Sequence, residues 1–249
     1  MTLGEFVPVL VLNEVSKWFG GNPVLREITF NIEKGEVVGL IGPNGAGKTT
    51  LFNVITGFYR PRTGYVKFEG KDISRLSPEV ICSLGICRTF QVTKPFSNIT
   101  VLKNVMIGAL SRENSLRDAR RRAEETLDFV GMLDKKNFLG KNLTIADRKK
   151  LEIARGLATG PRLFLLDEVM AGLNPSELKE MVQLIDRLIE AGITLFIIEH
   201  IMNVIMSVSH RVLVLDHGEM ICGGTPGEVA CDERVIKAYL GEEYALAQS

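Results

Sequence analysis

Apolar positions follow a strand-like period at the start of this chain, a helical one in its middle, and an alternation of the two towards its end. Val9-Leu10-Val11-Leu12 and Ile28-Thr29-Phe30-Asn31-Ile32 are short runs rich in β-branched residues, which predicts strands. Glu36-Val37-Val38-Gly39-Leu40-Ile41 is almost wholly apolar and predicts another, while residues 48–55 have the spacing of a helix ending at Gly57. Tyr65-Val66-Lys67-Phe68 is a further expected strand, closed by Gly70. From about Thr93 to Lys141 the period is helical, with a charged run over residues 112–125 and no convincing strand, so a helical subdomain is expected there. Beyond it, Leu163-Phe164-Leu165-Leu166-Asp167, Thr194-Leu195-Phe196-Ile197-Ile198-Glu199 and Val212-Leu213-Val214-Leu215-Asp216 read as strands separated by helical patterns, the clearest helix covering residues 176–190. This alternation predicts an α/β fold with βαβ crossovers and a largely parallel sheet. A hairpin around His217-Gly218 and a helix over residues 233–240 complete the expectation.

Chemistry enters at the turn between the Glu36–Ile41 run and its helix. Gly42-Pro43-Asn44-Gly45-Ala46-Gly47-Lys48-Thr49 fits the phosphate-loop pattern G-x-x-x-x-G-K-[ST], in the strand–turn–helix context that pattern requires. Glycines let successive backbone N–H groups turn inward around an anion, and the helix N-terminus adds a positive dipole end. Lys48 supplies a point charge for β and γ phosphates, and the Thr49 hydroxyl is a ligand for Mg²⁺. The alternative, a unit that merely packs tightly, is disfavoured by the full pattern in this context.

Composition bounds the rest. At 249 residues and 45% hydrophobic content the chain can bury a large core, as one α/β domain or a domain with an insertion. Thirty basic residues balance thirty acidic ones, so total charge argues for neither nucleic acid nor an anionic membrane as partner. Arg117-Asp118-Ala119-Arg120-Arg121-Arg122 is followed at once by Ala123-Glu124-Glu125, which favours a solvated helix face with i,i+4 pairing over a nucleic-acid patch. The first residues carry no positive charge before the apolar Phe6–Leu12 run and do not read as a secretory signal. No apolar run approaches the roughly 18 residues of a spanning helix. Cys82, Cys87, Cys222 and Cys231 show no C-x-x-C spacing and read as reduced packing thiols of a cytosolic protein.

Asp167 ends an apolar strand and Glu168 follows it, a pair suited to metal-assisted phosphate chemistry. The first carboxylate would orient Mg²⁺ and the second would polarise the attacking water; a cap on the next turn is the plainer reading. His200 ends the strand Ile197-Ile198-Glu199-His200, where it can contact a γ-phosphate, although alone it would be structural. Gln91, in Cys87-Arg88-Thr89-Phe90-Gln91, has an amide able to ligand Mg²⁺ at the border of the helical region.

Together, in this order and over nearly the whole chain, these segments resemble the ATP-binding subunits of ABC transporters. The resemblance implies a single P-loop ABC ATPase domain over 1–249. Residues 1–91 and 156–249 would form its RecA-like core with an antiparallel β region, and 92–155 its helical subdomain. It makes residues 42–49 the Walker A loop, with Thr50 beside it, Gln91 the Q-loop, Leu163–Asp167 the Walker B strand, Glu168 the catalytic base, Ala171-Gly172-Leu173-Asn174 the D-loop and His200 the switch histidine. ATP and Mg²⁺ are the implied cofactors. Phe19 falls where the family places an adenine-stacking aromatic; Trp18 is the alternative stacker, and either ring could be core.

One element departs from the family. Leu143-Thr144-Ile145-Ala146-Asp147 stands in place of the L-S-G-G-Q signature, which in the family contacts the ATP of a second subunit. Thr144 can still cap the helix, but Ile145 and Ala146 hinder backbone approach and Asp147 is expected to bring negative charge toward a polyphosphate. The expectation is a heterodimer in which an intact signature comes from a different ATPase subunit.

Gly85-Ile86-Cys87-Arg88-Thr89-Phe90-Gln91, Leu151-Glu152-Ile153-Ala154-Arg155 and the tail Val235-Ile236-Lys237-Ala238-Tyr239-Leu240-Gly241 are similar to the branched-chain amino acid importers. This implies a peripheral subunit on the cytoplasmic face of the inner membrane, two transmembrane permease partners, an extracytoplasmic solute-binding protein and no nucleic acid. Phe96, Ile99, Val101 and Leu102 are candidates for the surface that docks on the permeases, with core packing as the alternative. Import of urea or short amides, lipopolysaccharide export, and a regulatory or DNA-repair ABC ATPase remain open readings.

Overall fold

A computed structural model describes residues 7–90 and 95–246, with side chains as far as Tyr239. The chain divides into two compact units, one made of the residues up to Pro78 together with those from Thr194 onward, the other of Glu79–Ile193.

The first unit begins with β1 (Leu10–Phe19), β2 (Asn22–Ile32), β3 (Val37–Ile41), α1 (Lys48–Ile55), β4 (Thr63–Phe68) and β5 (Lys71–Asp72). β1 and β2 run well past the apolar stretches that announce them, because ladder hydrogen bonds are made by the backbone and do not require apolar side chains. Bulges interrupt their pairing, and Glu14 and Glu27 take left-handed φ values of 51° and 48°. The order β2-β1-β4-β5 makes an antiparallel sheet.

The second unit holds α2 (Pro78–Leu84), β6 (Ile86–Arg88), α3 (Val101–Ala109), α4 (Leu116–Phe129), α5 (Ile145–Leu157), β7 (Leu163–Asp167) and α6 (Pro175–Glu190). β6, too short to show a period, pairs parallel to β7 with Cys87 opposite Phe164 and Arg88 opposite Leu165. Thr100, Ser115 and Thr144 cap α3, α4 and α5 by accepting a backbone N–H, and Asn174 with Glu177 makes a capping box on α6. Arg120 pairs with Glu124 at 3.4 Å and Arg121 with Asp118 at 3.5 Å on the exposed face of α4, the solvated arrangement expected of the basic run. Val101 and Leu102 are buried in this unit, so they belong to packing and not to a docking surface. Phe96 is exposed and Ile99 half-buried.

The chain returns to the first unit with β8 (Thr194–Ile198), α7 (Met202–Val208), β9 (Arg211–Asp216), β10 (Glu219–Gly224), α8 (Pro226–Ala230) and α9 (Glu233–Leu246). Within this unit the strand order is β10-β9-β3-β8, with β3 parallel to both β8 and β9. Every residue of β3 and β8 is buried, which is why both read as unbroken apolar runs. Phe196 of β8 lies 5.0 Å, centroid to centroid, from Phe52 of α1 and 5.6 Å from Phe30 of β2. His217 (φ 44°) and Gly218 (φ 80°) form the expected two-residue turn between β9 and β10, both in the left-handed region that such a hairpin needs.

Candidate nucleotide site

The loop from β3 to α1 needs glycine at positions 42 and 47. Gly42 has φ 149°, and a Cβ there would stand 1.9 Å from the carbonyl oxygen of Leu215. Gly47 caps α1 at φ 108° with no side-chain hydrogen bond to the first turn, which leaves that turn's amides to face an anion. The loop is braced from outside: the Gly218 N–H donates to Ala46 O at 3.0 Å, and the Arg26 N–H to Gly218 O at 2.8 Å. Lys48 is buried, and its ammonium donates to the carbonyls of Gly42 (2.6 Å) and Pro43 (2.9 Å). The cation is thus fastened across the loop it would serve. Asn44, Gly45 and Thr49 are exposed, Thr50 is half-buried, and Pro43 and Ala46 are buried.

Phe19 and Trp18 end β1 with 43% and 45% of their surfaces exposed, so neither ring is core. Phe19 meets Tyr59 edge to face at 5.0 Å, and the Tyr59 N–H donates to Asn53 O at the end of α1. Trp18 carries the Arg62 guanidinium 5.3 Å from its ring. His200, also in this unit, is exposed just beyond the buried Glu199.

Asp167 and Glu168 belong to the second unit. The Asp167 carboxylate is fully buried and accepts from Arg88 Nη2 at 2.5 Å, while the Asp167 N–H donates to Thr89 Oγ1 at 2.9 Å. Glu168 is half-buried and takes φ 51°, a left-handed conformation uncommon outside glycine, with its carbonyl held by Lys149 Nζ at 2.8 Å. Glu152 on α5 accepts the Phe90 N–H at 2.6 Å, anchoring the end of β6. Arg88, Thr89, Lys149 and Glu152 are supporting residues that sequence reasoning passed over; a basic residue at a strand end is the signal that Arg88 carried. Gln91, the remaining expected site residue, lies outside the described residues.

Of the side chains expected to take Mg²⁺, the Thr49 hydroxyl in the first unit and, taken separately, the Asp167 carboxylate in the second are hard oxygens, the type this ion takes while keeping several waters. In the signature segment the structure corrects one expectation. Asp147 is buried and accepts from Lys135 Nζ at 2.7 Å, while its N–H donates to Thr144 Oγ1 at 3.1 Å, so its charge is turned inward and neutralised. Ile145, at the start of α5, is 63% exposed.

The family model described as ABC transporter matches residues 25–171 of the chain. The chain belongs to the ABC transporter family. A second family model, described as branched-chain amino acid ATP-binding cassette transporter, matches residues 219–245, which cover β10 to α9. Among relatives within the family, the chain is 37% identical to the high-affinity branched-chain amino acid transport ATP-binding protein LivG of Salmonella typhimurium, over 94% of this chain and 98% of that protein. It is 31% identical to the lipopolysaccharide export system ATP-binding protein LptB of Haemophilus influenzae, over 96% of this chain and 99% of that protein. Its fold is similar to the ADP conformation of MJ1267, an ATP-binding cassette of an ABC transporter, with a TM-score of 0.85, 31% identity, and coverage of 94% of this chain and 99% of that one. The P-loop ABC ATPase fold expected from the family's motifs is therefore the fold observed.

Proposed function

We propose that this chain is the ATP-hydrolysing subunit of a membrane ABC importer whose solutes are branched-chain amino acids. The observation that carries the enzymatic reading is the glycine loop closed by Lys48 at the N-terminus of α1, in a chain of this family. Phosphates would be held by the loop amides of residues 42–49 and by the Lys48 ammonium, with Thr50 behind them and Phe19 against the adenine. Mg²⁺, held by Thr49, Asp167 and Gln91, would neutralise charge on the β and γ oxygens. Glu168 is the base that orients and deprotonates water, and His200 senses the γ-phosphate.

The match over residues 219–245 and the identity to LivG support branched-chain amino acids over lipopolysaccharide export. Among the described residues no helix is long and apolar enough to cross a membrane. Membership of the ABC transporter family supports work from the cytoplasmic face, on two permease subunits fed by a solute-binding protein. The exposed Ile145 in place of a glycine supports pairing with a different ATPase subunit that supplies an intact signature.

The test is ATPase turnover in the assembled transporter. Glu168→Gln should keep ATP binding and lower turnover by about 10²-fold or more. Equal rates would make the chain a binding module. Deleting the chain from its cell should abolish uptake of labelled leucine, isoleucine and valine, and unchanged uptake would refute the solute assignment.

A further inference from the structure

Glu168 stands between two stretches of backbone that are held from different directions. Upstream, every residue of β7 is buried, and the Asp167 N–H donates to Thr89 Oγ1 at 2.9 Å. Downstream, the Glu168 carbonyl accepts from Lys149 Nζ at 2.8 Å and from the Ala171 N–H at 3.4 Å. The Ala171 contact is long for an N–H···O bond, so the lysine is the tighter hold. Between these anchors Glu168 keeps φ 51°, where a residue with a Cβ is unfavourable. Released, it would relax toward the right-handed or extended region and swing its carboxylate to a new direction.

The hold comes from α5. Lys149 is 8% exposed, and a buried ammonium is costly unless it is bonded, so the contact restrains the lysine as firmly as the carbonyl. Glu152, one turn along the same face, accepts the Phe90 N–H at 2.6 Å. This face of α5 thereby fastens the C-terminal ends of both β6 and β7, which are parallel neighbours. Lys150 serves a different contact: its ammonium meets Glu180 of α6 at 2.6 Å, and that carboxylate is 56% exposed. Lys149 also lies only two residues beyond Asp147, so a single side chain joins the helix start capped by Thr144 to the backbone of Glu168.

We propose that Lys149 is a positioning residue for ATP hydrolysis. Its ammonium holds the Glu168 carbonyl, and through it the left-handed backbone that aims the Glu168 carboxylate at the attacking water. Lys149 acts through Glu168 and not on the nucleotide, so it governs the rate of the chemical step and not the affinity for ATP. This rests on the proposed role of Glu168 as base.

The experiment compares Lys149→Met, which keeps the stem and removes the donor, with Lys149→Arg, Lys150→Met and Glu168→Gln in the assembled transporter. For Lys149→Met, kcat should fall about ten- to a hundredfold with KM for ATP changed by less than about twofold. Lys149→Arg, which returns a charged donor, should recover most of the rate, and Lys150→Met should keep it. In the Glu168→Gln background, Lys149→Met should take nothing further from turnover. Loss of ATP affinity in step with turnover, an equal loss in Lys150→Met, or a full further loss in the Glu168→Gln background would each overturn the proposal. If Lys149→Met fails to fold, Lys149→Gln, whose amide falls one atom short, should show the same split between kcat and KM, and wild-type turnover there is contrary evidence. Deuterium exchange on the purified chain needs no ATPase activity: Lys149→Met should speed exchange in peptides covering residues 168–174 and leave residues 163–167 protected. Unchanged exchange over 168–174 would show that the lysine does not hold this backbone. Unchanged turnover in Glu168→Gln would instead sink the ATPase reading, so the two failures are separable.

Discussion

Arg88→Met is the perturbation that most directly interrogates the end of β7. The Arg88 and Asp167 side chains are 5% and 0% exposed, and their contact is 2.5 Å, so this is an interior ion pair and not one of the surface pairs worth about 0–1 kcal/mol. Methionine keeps most of the stem's packing but removes the guanidinium, leaving a carboxylate in the interior without that counter-charge. Breaking a buried pair from one side costs about 3–5 kcal/mol, or roughly two to three and a half orders of magnitude in the folding equilibrium. Urea unfolding of the purified chain should show a lower midpoint at an unchanged slope. The double variant Arg88→Met with Asp167→Asn should recover much of the loss, because removing both charges is far cheaper than removing one. A loss below about 1 kcal/mol in the single variant, or no recovery in the double, would show that the pair is not an interior one and refute the reasoning.

Thr144→Ala removes the cap of α5 and should cost about 1 kcal/mol by the same measurement; a neutral result would mean that the Asp147 N–H finds an equivalent acceptor. Gly108→Ala would place a Cβ 2.2 Å from Arg155 O, forcing α3 from α5, and should cost about 1–3 kcal/mol or more, where a stabilised variant would contradict the close approach. Backbone and hydroxyl hydrogen bonds from Thr225 hold Glu228 below the usual carboxylate range, and those from Ser74 do the same for Asp72. Since the folded values lie below the unfolded ones, the associated stability is present above the ordinary carboxylate pKa and lost as pH falls through the lowered values. NMR titration should find both midpoints lowered, and ordinary midpoints would remove the capping argument.

Much of the site was legible because it is local. The phosphate loop is one contiguous pattern, its helix was expected over the residues that α1 occupies, and the Asp167-Glu168 pair closes a strand whose burial shows as an unbroken apolar run. β6 and the far halves of β1 and β2 were not legible, since their order comes from backbone pairing with strands remote in sequence. Asp147 misled for a related reason: whether a carboxylate faces a ligand or a lysine depends on which residue arrives beside it, and Lys135 does.

Taken alone, the order of residues determined where the loop, its helix and the buried strands lie, because periodicity and glycine placement are written in neighbouring positions. Tertiary structure decided what each charged side chain meets. Arg88 reaches Asp167 across 79 positions, and Arg112 reaches Thr159 across 47. Such pairings are settled by the folding of distant segments onto one another, where close packing and the cost of an uncompensated interior charge leave a single workable arrangement.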